Sequence, residues 1–209
     1  MHIPNWKSWR LCVLLACLLA VAGAILVVTN DTVWFVCKLH FGSEKMKTDC
    51  LNKLADAEQS MGSVKERQEA KTRLPPEWTW RYLISDHNPM TRIMVAKTLW
   101  YLHPTEDKWL SVLVTETDNS DADIRSAALG EFWNMDECFT TTAPILRKHL
   151  FEDKDELPRR SACTALLPLS NLHPEARNIL DSAAQDLRYE STKDFVKRWL
   201  ESWDERHKR

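Results

Sequence analysis

Seven histidines, six cysteines and ten tryptophans are the side chains through which this chain could do chemistry or grip a partner. The histidines (His2, His40, His87, His103, His149, His173 and His207) are scattered. No two are spaced H-x-x-x-H, the step that lets one helix face present two imidazoles to a metal. Cys37, His40 and Cys50 offer three zinc donors but no fourth at usable spacing. The acidic stretches 118–123 and 152–156 lack the glycine and the distal glutamate of a calcium loop. The four glycines, Gly23, Gly42, Gly62 and Gly130, are too far apart for G-x-G-x-x-G, a Walker A loop or a G-x-S-x-G elbow. No Ser-His-Asp or Cys-His set has local support. The expectation is a protein that is not an enzyme and holds no cofactor and no metal.

Charge narrows the partners further. The 28 Lys+Arg and 30 Asp+Glu give a net charge of −2. A nucleic-acid binder needs a strongly basic face to displace counterions, so no nucleic-acid partner is expected. Cysteine usage speaks to compartment. Cys12 and Cys17 sit in an apolar run, where they serve as small hydrophobes. Of the other four, Cys37–Cys50 is the favoured disulfide, closing a short loop. Cys138–Cys163 is a second pairing, with two buried free thiols as its alternative.

The elements that must carry these residues begin with that apolar run. Leu11 to Val28 is 18 residues without a polar interruption. As a helix it would span about 27 Å, against a hydrocarbon core of about 30 Å. Trp6 and Trp9 suit the interfacial belt, and Lys7 and Arg10 precede the run with no acidic residue among them. The positive-inside rule then gives a single-pass signal anchor in the cell inner membrane, with a cytoplasmic N-terminus and a periplasmic C-terminal domain. A signal peptide cleaved after Ala20-Val21-Ala22 is the alternative, but it would leave a very apolar new end. The expected organisation is a cytoplasmic tail (1–10), the anchor (11–28), a linker with an amphipathic helix (29–74), a helical domain (75–203) and a charged tail (204–209).

The helical domain repeats itself. Asp86…Arg92, Asn119…Arg125 and Asp153…Arg159 each place Asp or Asn six residues before an arginine, and the arginines stand 33 and 34 residues apart. Four, seven and ten residues after each arginine come Ala96, Leu99 and Leu102, then Leu129, Phe132 and Met135, then Cys163, Leu166 and Leu169. Those steps lie along one face of a helix. The Asp or Asn falls in or near the helix's N-terminal cap. Further amphipathic stretches at 106–115, 143–151 and 174–187 supply a second helix per period, and 190–203 a last, atypical one. A fixed period of this size marks a solenoid. No strand pattern occurs in 75–203.

This pattern resembles HEAT repeats, in particular the short bacterial, phycobiliprotein-lyase HEAT-like type, over about residues 75–203. The resemblance implies an all-α fold: the transmembrane helix followed by a short α-solenoid of helical hairpins. It also implies that Asp86, Arg92, Asn119, Arg125, Asp153 and Arg159 form a structural ladder between repeats. Thr91 stands where the family usually has Val, and only the second repeat has the Leu-Gly pair, Leu129-Gly130. Leu167-Pro168-Leu169 should end the third helix early.

The position eight after each arginine holds Trp100, Trp133 and Leu167. It borders the apolar stripe, and tryptophan is a recurrent interface hot spot. Trp100 and Trp133, with Tyr101, His103, Glu131 and Asn134 nearby, are therefore the candidate partner-binding face. The alternative is that the two tryptophans fill the core between repeats. The expected role is a protein–protein interaction or scaffolding module on the periplasmic side of the envelope, contacting another envelope protein or peptide and the bilayer through 11–28. An immunity- or inhibitor-type protein that neutralises an envelope toxin or enzyme is the first alternative. A lyase-like enzyme, by analogy with HEAT-like lyases, is the second.

Overall fold

Each recurring arginine stands at the head of a helix, Arg125 and Arg159 buried and Arg92 partly so, and ties three things together: the loop before that helix, the helix itself, and the next element along the chain. The computed structural model describes residues 80–207 apart from 105 and 187, together with 38, 45, 46, 49, 50 and 77. The described part is all-helical, seven α-helices packed together, with no strand among the described residues. They are α1 (Pro89–Leu102), α2 (Asp107–Thr117), α3 (Ala122–Gly130), α4 (Phe139–Glu152), α5 (Glu156–Leu169), α6 (Pro174–Asp186) and α7 (Glu190–His207). The expected anchor at 11–28 and Cys37 of the favoured disulfide lie outside the described residues, as does most of the linker at 29–74. Among the described residues no helix is long and apolar enough to cross a membrane.

The odd-numbered helices touch in succession, α1 with α3, α3 with α5 and α5 with α7, while α2, α4 and α6 each pack on the odd helix that follows. Periodicity explains the contacts. All nine apolar residues at four, seven and ten positions after the arginines are buried, none more than 6% exposed. Arg92, Arg125 and Arg159 repeat one geometry at the helix heads. Nη1 of each donates to the carbonyl six residues earlier: Asp86 at 2.7 Å, Asn119 at 2.9 Å and Asp153 at 2.8 Å. The side chains of Asp86, Asn119 and Asp153 in turn accept from the backbone N–H two residues on, at 2.8, 3.0 and 3.0 Å. These are Asx turns. The N-cap residues are thus Asn88, Asp121 and Asp155, two positions beyond the recurring Asp or Asn.

The guanidinium's other edge reaches forward. Nε and Nη2 of Arg92 both donate to Glu116 at 2.7 Å, at the end of α2. Arg125 makes a two-pronged pair with Asp153, both bonds 2.9 Å, and adds Asp155 at 2.6 Å. Arg159 donates to Thr192 at 2.9 Å and lies 3.7 Å from the Tyr189 ring centre. Arg125, Arg159, Glu116 and Asp153 are all buried. Burial pushes the Asp153 carboxyl up, but donors from Arg125, the Asp155 backbone and His149 overcome this and hold it down at about 2.

Two expectations are corrected. Residues 204–207 are not a separate tail: α7 continues to His207, and Asp204 takes a two-pronged bond from Arg177 of α6 at 2.6 and 2.9 Å, while 208 and 209 lie outside the described residues. Cys138 and Cys163 are not bridged; both are thiols. Cys163 is wholly buried in α5, while the Cys138 thiol donates to the Met135 carbonyl at 3.3 Å. Desolvation pushes each thiol up to about 12, so neither is a ready thiolate.

Replacing Arg125 by Ala strands a buried carboxylate and should destabilise the fold by about 3–5 kcal/mol in urea unfolding. Arg198→Ala, on the exposed side of α7, should change it by no more than about 0.5 kcal/mol. Because the folded-state value of Asp153 lies below its ordinary 3.8, its contribution is complete above that pH and drains away as pH falls toward about 2. Unfolding midpoints measured across this window should fall less steeply for Asp153→Asn than for the parent.

Candidate functional site

Tryptophans at equivalent sequence positions reach opposite environments. Helix α1 runs unbroken through Leu102, so Trp100 stays on the inward side, 2% exposed, and meets Tyr101 edge-on with ring centres 5.2 Å apart. Helix α3 stops at Gly130, and residues Glu131–Asn134 tighten into a 3-10 turn. Each residue of such a turn rotates about 120° instead of 100°. Phe132 stays in the core, while Trp133 swings out to 51% exposure.

Trp133 meets others there. A groove of about 420 Å³ is lined by Trp133, by Gly130 at the end of α3, by Thr164, Leu167 and Pro168 of α5, and by Trp199 and Trp203 of α7. Three indoles thus converge from two elements across a third. Gly130 faces open space: a Cβ built there meets nothing within 4 Å. Leu167 is the third residue at the position eight after an arginine, so two of the three positions flagged in the sequence border this groove. Pro168 does not end α5 early, which corrects that expectation: the helix runs through it to Leu169, ten residues past its arginine as in α1, because the missing N–H removes one bond in the last turn while the Ser170 N–H still donates to Leu166 at 2.9 Å. The Trp203 indole N–H donates to Asn171 at 3.2 Å, which fixes its ring. Among the described residues no charged side chain lines the groove. Its described lining is apolar and aromatic apart from the Thr164 hydroxyl, which donates to the Ser161 carbonyl at 2.9 Å.

The six expected contact residues do not form one face. Trp100 and Tyr101 are core residues and offer no surface, which corrects their assignment to partner binding. His103 is engaged by Glu77, 2.7 Å from its Nε2, and lies 3.8 Å from Glu106. Glu131 pairs with Lys97 at 2.5 Å. Asn134 is exposed in the turn beside Trp133 but does not line the groove. Of the six, Trp133 alone does. Trp203 is read in the sequence only as part of the last helix's apolar pattern and Trp199 not at all, because the last repeat has no anchor arginine from which to count.

The ladder residues stay out of this groove. Asn119 is not itself the anion of its repeat. Its amide donates to Glu116 at 3.0 Å, and Glu116, one turn earlier on α2, carries the charge that Arg92 needs. A second, polar hollow of about 390 Å³ near Arg125 holds His149, whose Nδ1 lies 2.9 Å from Asp153. Its Nε2 is buried without a hydrogen-bond partner, 3.8 Å from Asp118. Acidic and basic side chains balance around that hollow, and no cluster of three or more His, Cys, Asp or Glu fit to hold a metal occurs among the described residues. No family model, no curated protein and no solved structure matches the chain.

The two tryptophans should separate cleanly under mutation. Trp100→Ala opens a core cavity and should cost about 3–5 kcal/mol. Trp133→Ala, at an exposed position, should cost less than about 1 kcal/mol and leave the helical circular-dichroism signal intact.

Proposed function

We propose that this chain is a short HEAT-like α-solenoid, tethered to the inner membrane by residues 11–28, that acts as a protein-interaction or scaffolding module on the periplasmic side. Its partner is another envelope protein or peptide, seated in the groove lined by Trp133, Trp199 and Trp203. The observation that carries this reading is the exposure of those indoles. Trp133 and Trp199 are 51% and 36% exposed, although a chain folding alone gains by burying such rings. Clustered exposed apolar surface marks a place where something else docks. Tryptophan gives large contact area with few rotors to freeze, which is why so few of them can dominate an interface. The repeating arginine geometry and the contacts between successive odd-numbered helices favour the solenoid reading. The uninterrupted apolar run favours the anchor, and the basic residues before it favour a periplasmic domain. A groove without titratable groups favours binding over catalysis.

A photo-crosslinking amino acid placed at Thr164, inside the groove, tests this in native membranes. One discrete protein or peptide adduct should form, and Trp199→Ala should reduce it by about tenfold or more. Absence of any adduct, or an adduct indifferent to Trp199→Ala, would remove the groove as the docking site.

A further inference from the structure

The groove does not end at Trp199. Phe195, Trp199, Ser202 and Arg206 follow one another at three- and four-residue steps along α7, and with Arg198 beside Trp199 they line an adjoining hollow of about 440 Å³. Trp199 therefore forms a wall of both cavities. The Arg206 guanidinium lies 5.9 Å from the Trp199 ring centre and 5.7 Å from that of Trp203. The acidic residues of α7, among them Asp194, Glu201 and Glu205, line neither cavity.

The two arginines differ from those that hold the fold together. Arg92, Arg125 and Arg177 each bind a carboxylate. Arg198 and Arg206 have no carboxylate within ion-pairing distance among the described residues. Their Nε atoms donate only to carbonyls four residues back, Asp194 at 3.3 Å and Ser202 at 3.1 Å. Their remaining N–H groups are left to water. Any occupant that covers Trp199 and Trp203 strips part of that water away. An apolar or basic occupant would leave charged donors unmatched, at a penalty. A carboxylate would instead accept a two-pronged, charge-assisted bond from a guanidinium already steadied against an indole.

Resting on the groove reading above, we infer that the occupant is an acidic peptide segment. One or two large apolar side chains enter among Trp133, Trp199 and Trp203, and an Asp or Glu three or four residues away meets Arg206 or Arg198. Shape favours a peptide over an anionic bilayer. The groove takes its walls from the turn after α3, from α5 and from α7, and a flat lipid surface meets only the outermost of these.

Selection of random dodecapeptides by display on the full chain tests the inference. Enriched sequences should pair a large apolar residue with Asp or Glu at that spacing. The affinity of a selected peptide should fall about tenfold or more with Trp199→Ala and with the double change Arg198→Glu, Arg206→Glu. The doubly changed protein should in turn select Lys- or Arg-bearing peptides. Neutral or basic enriched peptides, sensitive to Trp199→Ala but not to the arginine changes, would overturn the acidic class and leave the groove standing. Peptides indifferent to Trp199→Ala would overturn the groove as well. No enrichment, with phosphatidylglycerol vesicles binding through the same arginines, would overturn the inference in favour of lipid.

Discussion

A buried guanidinium has five N–H donors and no way to lose its charge, so a fold that encloses one must meet it with acceptors on several sides. The packing of this domain follows from that demand. Arg125 draws the carbonyl of Asn119 from the loop before its own helix and the carboxylates of Asp153 and Asp155 from the next unit. One side chain therefore sets how a helix is entered and where its neighbour sits. Hydrophobic contact between the odd-numbered helices is non-directional and would tolerate sliding. The planar two-pronged pair does not, because a slip of one helical turn would pull its oxygens away from both donors.

The ladder changes along the chain, and its changes explain the ends. At the first rung the anion is Glu116, since Asn119 offers an amide where a carboxylate would stand. At the last, Arg159 meets a hydroxyl, Thr192, and the face of Tyr189. A neutral partner asks for no further counter-charge beyond it, so the series can stop there. The second unit also departs from the others, at Gly130. An unbranched helix continuing past this point, as in α1, would have kept Trp133 inward. Glycine's low helix preference lets the chain tighten there, and the tightened turn carries the indole out.

Much of this was legible in the residue order. Burial of the nine apolar positions and the placing of α2, α4, α6 and α7 follow from a period near 3.6, which is a local property. The structural part of the arginines is what the HEAT resemblance implies, and each of them has its partners inside the fold. Glu116 was not legible, for the acceptor had moved one turn onto another helix, and only the Asn at 119 hinted at it. Trp100 and Trp133 could not be told apart by position, since the difference lies in how α3 ends. Leu129-Gly130 was the available sign. The neighbours of Trp133 on α7 were beyond reach, because which helices flank a groove depends on contacts between residues more than thirty apart.

Arginine serves two opposed purposes here, and exposure decides which. Where a guanidinium is buried, its partner must be internal, and the chain supplies one each time. Where it lies on the surface, water satisfies it, and an internal partner adds little stability. Arg198 and Arg206 thus owe nothing to the fold, yet they stand beside rings that the fold leaves uncovered. A surface cation next to exposed indoles is stable only while hydrated, and whatever covers the indoles changes that condition. Apolar contact then supplies attraction, while the arginines decide which attracted segments are tolerated. Selectivity of this kind arises from the penalty on wrong occupants as much as from the gain with the right one. It needs no rearrangement of the helices, because the ladder that fixes them is made of other side chains.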